Sequence, residues 1–181
     1  MNTQIERRLA GPTMTAKETK LVGHAALWNT PAKIGTFSER IAPGAFQRSL
    51  ATNPDILAVV NHDMGRVLGR TKSGTLRLKE DAVGLAFEID APDTQEGRDS
   101  LELARRGDLG GMSFGFRVAP GGERWNAART ERVLTEIALV EVSLVTHFPA
   151  YEGTTVAARN ANGGRSDLAR RVALIELGRA R

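Results

Sequence analysis

Four short apolar or alternating runs follow one another at residues 56–60, 67–71, 75–79 and 85–89, with only turn-forming residues such as Met64-Gly65 and Ser73-Gly74 between them. Parallel neighbours need crossovers of about a dozen residues or more, so connections this short predict an antiparallel meander within a strand-rich domain. The 19 glycines suit a fold with many tight turns, and an aromatic content of only 5% predicts an aliphatic core. At 181 residues the chain is long enough for one substantial core and a tail, so two domains are not required.

Other segments carry their own signals. Residues 20–28 and 37–41 read as strands, and 45–51 as a short helix with Phe46 and Leu50 at i, i+4 on one face. Asp93 followed by Glu96 has the form of a capping box, which predicts a helix over 94–106 closed by Arg105-Arg106-Gly107. Residues 112–118 read as a strand, 119–122 as a turn, and the long alternation over 132–145 as one or two further strands. Residues 1–19 are polar, show no sustained period and read as a mobile N-terminal arm, which leaves the folded domain at 20–157. Over 158–181 a linker with Asn160-Ala161-Asn162-Gly163-Gly164 leads to a basic amphipathic helix, Leu168, Val172 and Ile175 falling at i, i+4, i+7.

Several function classes drop out. Without cysteine there are no disulfides, thiolate metal sites or cysteine nucleophile, and His24, His62 and His147 are too scattered to form a zinc cluster. No run approaches the ~18 apolar residues of a membrane span, and the start Met1-Asn2-Thr3-Gln4 lacks a secretion-signal core, so the expectation is a soluble intracellular protein. The net charge of +4 is concentrated in the tail, where arginines 159, 165, 170, 171, 179 and 181 face only Asp167 and Glu176. Such a tail can bind nucleic acid or an acidic protein, or be a solvated helix face; the core has no basic and aromatic strip of the kind that binds nucleic acid.

Two motifs carry possible chemistry. Ser113 sits in Gly110-Gly111-Met112-Ser113-Phe114-Gly115-Phe116, where missing side chains would let a substrate backbone approach and free amides for an oxyanion. The motif is not the Gly-x-Ser-x-Gly elbow, because no helix begins at residue 115, and a strand serine beside a glycine bulge is the plain alternative. His62, in Asn61-His62-Asp63 after the run 56–60, stands at a strand end, where an imidazole with a pKa near 6.5 suits general base work; a turn histidine bonded to Asp63 is its plain alternative. His24, in a core strand, and His147, beside Phe148-Pro149, are weaker candidates. An orienting acid is found in Glu141, within Leu139-Val140-Glu141-Val142-Ser143-Leu144-Val145, unless Glu141, Ser143 and Val145 simply share a wet face. Glu39 in Phe37-Ser38-Glu39-Arg40-Ile41 is the other acid, or a surface partner of an arginine.

The ordered set Phe37-Ser38-Glu39-Arg40-Ile41-Ala42-Pro43-Gly44-Ala45-Phe46, Asn61-His62-Asp63 with Val67-Leu68-Gly69, Ser113-Phe114-Gly115-Phe116, and Leu139 to Val145 with Pro149-Ala150-Tyr151 resembles the prohead maturation proteases of tailed phages, relatives of the herpesvirus assembly proteases. The resemblance spans about residues 21–156. It implies a mainly β (α+β) fold, a closed and mostly antiparallel barrel flanked by a few helices, as in the herpesvirus proteases. It also implies a serine endopeptidase with His62 as general base, Ser113 as nucleophile and Glu141 as acidic third member. Because the herpesvirus enzymes use a second histidine there, His147 is a rival, as is Glu39. No metal or organic cofactor is implied. The implied partners are the major capsid protein and its scaffold segment, together with portal or other prohead components and further copies of the chain; nucleic acid and membrane are not among them. Scaffold or capsid segments and the chain's own tail would be cleaved inside assembling proheads in the host bacterial cytoplasm. The competing class is a non-enzymatic scaffold or minor capsid protein.

Overall fold

A computed structural model describes residues 6–10, 14–17 and 19–146. Strands β1 (Glu6–Ala10) and β2 (Met14–Lys17) lead into β3 (Lys20–Leu27), β4 (Ala32–Ile34) and β5 (Phe37–Ile41), after which Ala42-Pro43-Gly44 breaks the chain before helix α1 (Gln47–Thr52). Next come β6 (Leu57–Val60), β7 (Asp63–Arg70), β8 (Leu76–Glu80) and β9 (Gly84–Asp90), then helix α2 (Gln95–Arg106). The last strands are β10 (Gly111–Val118), β11 (Glu123–Trp125), β12 (Glu131–Leu134) and β13 (Ile137–Val145).

These strands form three sheets, with orders β1-β10-β13-β6-β7, β11-β12-β5-β4 and β2-β3-β9-β8. Most ladders are antiparallel, as expected, but β5–β12 and β6–β13 run parallel, each joining strands far apart in sequence. No ladder among the described residues closes the sheets into one barrel, so the architecture is mainly β with two helices. The meander is also corrected: β6–β7 and β8–β9 pair as hairpins, whereas β7 and β8 belong to different sheets. A tight turn reverses the chain equally well within a sheet or between packed sheets, and alternation does not name the partner.

Where the sequence reads as a mobile arm, β1 pairs with β10 and β2 with β3. A backbone ladder supplies its own hydrogen bonds and requires no apolar period, so such polar edge strands leave little trace in sequence. The helix start shifts by one residue as well. Thr94, not Asp93, is the N-cap of α2, its hydroxyl accepting from the Gly97 amide at 3.3 Å. Asp93 instead holds Arg98 at 2.6 Å, and Glu96 reaches Arg66 at 2.7 Å, tying α2 to β7. At the other end Gly107 closes the helix with φ 76, the left-handed cap that glycine adopts without strain.

Alternation along β10 sends Met112, Phe114 and Phe116, all fully buried, into the core. There Phe114 meets Phe46 edge-on at 5.7 Å and stacks with Phe116 at 5.4 Å, contacts worth about 0.5–1.5 kcal/mol each beyond their burial. Leu21, Leu85 and Ile89 extend the interior, which is aliphatic apart from these phenylalanines and Phe87. The expected end of the core at Phe148 to Tyr151, the linker, the terminal helix and His147 lie outside the described residues.

Candidate active site

Strands β10 and β13 lay down two facing rows. Their register sets Gly111, Ser113 and Gly115 opposite Val145, Ser143 and Glu141, and partners across a ladder project to the same side of a sheet. That side is opposite the one Phe114 and Phe116 send into the core.

One bulge decides where Glu141 points. Phe116 pairs with Leu139 and Gly115 with Glu141, which leaves Val140 as an extra residue on β13. In an unbroken strand Leu139 and Glu141, two apart, would share a face. The bulge keeps Leu139 with Phe116 on the core side and turns Glu141 to the side of Ser113. Glu141, Ser143 and Val145 do share a face, as the sequence suggests, but all are fully buried, so exposure to water does not explain the two polar residues.

His62 reaches this face from the β6–β7 hairpin. Val60 pairs with Asp63 across the two-residue turn Asn61-His62, whose φ values are 50 and 61. Positive φ at both positions is the type I′ turn that matches strand twist, and a left-handed histidine there costs about 1–2 kcal/mol. Bonds to β13 and to Thr146 just beyond it offset that strain. The Asn61 amide donates to the Leu144 carbonyl at 2.7 Å, the Asn61 side chain accepts from the Thr146 amide at 3.0 Å and donates to its hydroxyl at 3.1 Å, and the His62 amide donates to Ser143 Oγ at 2.8 Å.

Held this way, His62 Nδ1 lies 2.7 Å from Glu141 Oε1. The imidazole is partly open, its side chain 18% exposed, while the carboxylate is at 0%. A carboxylate buried this deeply needs a partner, and His62 supplies one; Oε2 has none among the described residues. An ionised carboxylate only accepts; the tautomer that donates from Nδ1 to Glu141 leaves on Nε2 a lone pair able to take a hydroxyl proton. The sequence motifs thus place a carboxylate, an imidazole and a serine hydroxyl on one side of one sheet.

The sequence matches the caudovirus prohead serine protease family model over residues 4–166. The chain belongs to that family. Among solved structures, the bacteriophage T4 capsid assembly protease, gp21, is similar in fold, with TM-score 0.56, 9% identity, and coverage of 78% of this chain and 97% of that chain. A search of curated proteins gives no match.

In this prohead protease the other described candidates, Glu39 and His24, have partners of their own away from His62. Glu39 is buried on β5 against Arg132 at 3.0 Å, in a cluster with Glu6 and Glu123; it is an arginine partner, though not a surface one. His24 bonds Asp81 at 2.8 Å, and Trp28 Nε1 donates to the Asp81 carbonyl, so that pair closes a turn. The Gly110 amide donates to the Val145 carbonyl at 2.9 Å and is not free for an oxyanion. Sequence reasoning missed Ser143 and Gly115 as parts of the site. The signal for Ser143 was a second polar residue, two after Glu141, inside an apolar run. Among the described residues no group of three or more acidic or histidine side chains is placed to hold a metal, and no helix is long and apolar enough to cross a membrane.

Proposed function

We propose that this prohead protease is a serine endopeptidase in which Ser113 is the nucleophile, His62 the general base and Glu141 the acid that orients and stabilises the imidazole. The observation that carries the reading is the bond from His62 Nδ1 to the buried Glu141, made on the face that Ser113 shares. Ser113 Oγ attacks a peptide carbonyl as its proton passes to His62 Nε2; the imidazolium then protonates the leaving amine, and water hydrolyses the resulting acyl-enzyme by the same route.

The substrates in this reading are scaffold or capsid-protein segments and the chain's own basic tail, residues 158–181, cut during prohead maturation in the host cytoplasm, with the major capsid protein, its scaffold segment, portal components and sister copies as partners. The test is intact mass after co-expression with the cognate capsid protein, native chain against Ser113→Ala. Discrete truncations of either protein in the native sample, lost in the variant, are expected. Full-length masses in both, with shells formed, would favour a non-enzymatic scaffold.

A further inference from the structure

We infer that Ser143 is a positioning residue for the His62 imidazole, acting through the backbone of the turn that carries it. The inference rests on the reading of His62 as base. Three observations meet at this hydroxyl. Ser143 is fully buried and stands directly opposite Ser113 in the β10–β13 ladder. Its Oγ accepts the His62 amide at 2.8 Å and lies 3.2 Å from the Leu144 carbonyl, to which it donates, so its proton is directed away and a lone pair faces His62. Finally, His62 has φ 61, a conformation that a histidine keeps only when its surroundings impose it.

The geometry leaves little freedom. Glu141 and Ser143 are two apart on one face of β13; the first holds the ring of His62 and the second holds its amide. Two points on one rigid strand thus fix the backbone and the side chain of one residue. Thr146 holds the preceding residue, Asn61, through its side chain, but those bonds do not involve the ring or amide of His62. Without the Ser143 hydroxyl, Glu141 alone would have to hold the imidazole, and the turn could relax toward a conformation that suits histidine better. Ser143 therefore serves the reaction without touching substrate.

The full chain labelled with 15N-histidine tests this. Long-range proton–nitrogen spectra read the His62 ring, and the rate at which a fluorophosphonate labels the serine, followed by intact mass, reads nucleophile activation. Ser143→Ala should still melt cooperatively, lose the slowly exchanging Nδ1 proton of His62, and label about 10–100-fold more slowly. Ser143→Thr, which keeps an acceptor oxygen, should recover most of both signals. If Ser143→Ala does not fold, Ser143→Cys, with its weakly accepting sulfur, makes the same comparison. The inference is overturned if the variant keeps the Nδ1 proton and the native labelling rate, or loses labelling while the His62 ring signals stay unchanged. Continued labelling of Ser113→Ala would overturn only the nucleophile assignment, since the ring spectra judge Ser143 separately.

Discussion

The carboxylate of Glu141 lies in the space that a side chain on residue 115 would fill: a Cβ there would stand 2.5 Å from Oε1 and 3.2 Å from the carboxyl carbon. Within Ser113-Phe114-Gly115 the glycine looks like room for substrate, yet the room is taken by the protein's own acid. The φ of Gly115 lies outside the left-handed region, so the backbone accepts alanine and the strain falls on Glu141. Gly115→Ala should lower activity by about 100-fold through a displacement of ångström size, and lower stability by about 1–3 kcal/mol. Cleavage rates and urea unfolding of the same sample check both.

Glu141→Gln keeps the shape of the side chain but can present an amide to Nδ1, favouring the wrong tautomer. A loss of up to about 10⁴ in kcat is expected, by analogy with Asp-to-Asn changes in serine-protease triads, with KM little altered. Glu39→Gln, in the arginine cluster, should leave kcat of the folded protein near native. Steady-state kinetics of the two variants side by side decide between these acids.

Arg132 is only 8% exposed and holds Glu39 at 3.0 Å, Glu6 at 2.9 Å and Glu123 at 2.6 Å. Removing it takes a close cation from Glu39, a carboxylate only 2% exposed. Arg132→Ala should therefore destabilise the fold by about 3–5 kcal/mol, read as a lowered urea midpoint.

Asp81 accepts the Gly84 amide, the His24 ring and the Val83 amide, which together lower its pKa from 3.8 to about 2. A group depressed in the folded state adds stability above its unfolded pKa and loses it as pH falls through the folded one. This contribution is complete above pH 3.8 and fades towards pH 2. Glu88, lowered by Lys20 and then Arg77, acts in the same direction. Asp81→Asn should flatten part of the acid limb of stability against pH, measured by unfolding at a series of pH values.

Strand and helix positions were largely legible. Phe37–Ile41 was read with the bounds it has, and β3, β10 and α2 lie within a residue or so of expectation, because period and turn chemistry are local properties. Strands β2, β4 and β11, of three or four residues, were not read because so few residues show no period, and the five of β1, Glu6-Arg7-Arg8-Leu9-Ala10, carry no alternation. For the site, the types and order of Ser113, His62 and Glu141 pointed to their chemistry, while Ser143 and Gly115 were explained by their neighbours in sequence.

By itself, then, the sequence determined that the chain is strand-rich, free of cysteine chemistry, and furnished with a serine, a histidine and an acid at strand positions that match a family pattern. Only the tertiary structure decided that β13 lies between β10 and β6, and that the Val140 bulge turns Glu141 to the side of Ser113. It also decided that a left-handed His62 is held by Ser143. The division is physical. Alternation and turn residues act over a few neighbours, whereas partner, register and the facing changed by one extra residue depend on residues far apart in sequence, such as Gly115 and Glu141 across the bulge and, 79 positions apart, His62 and Glu141.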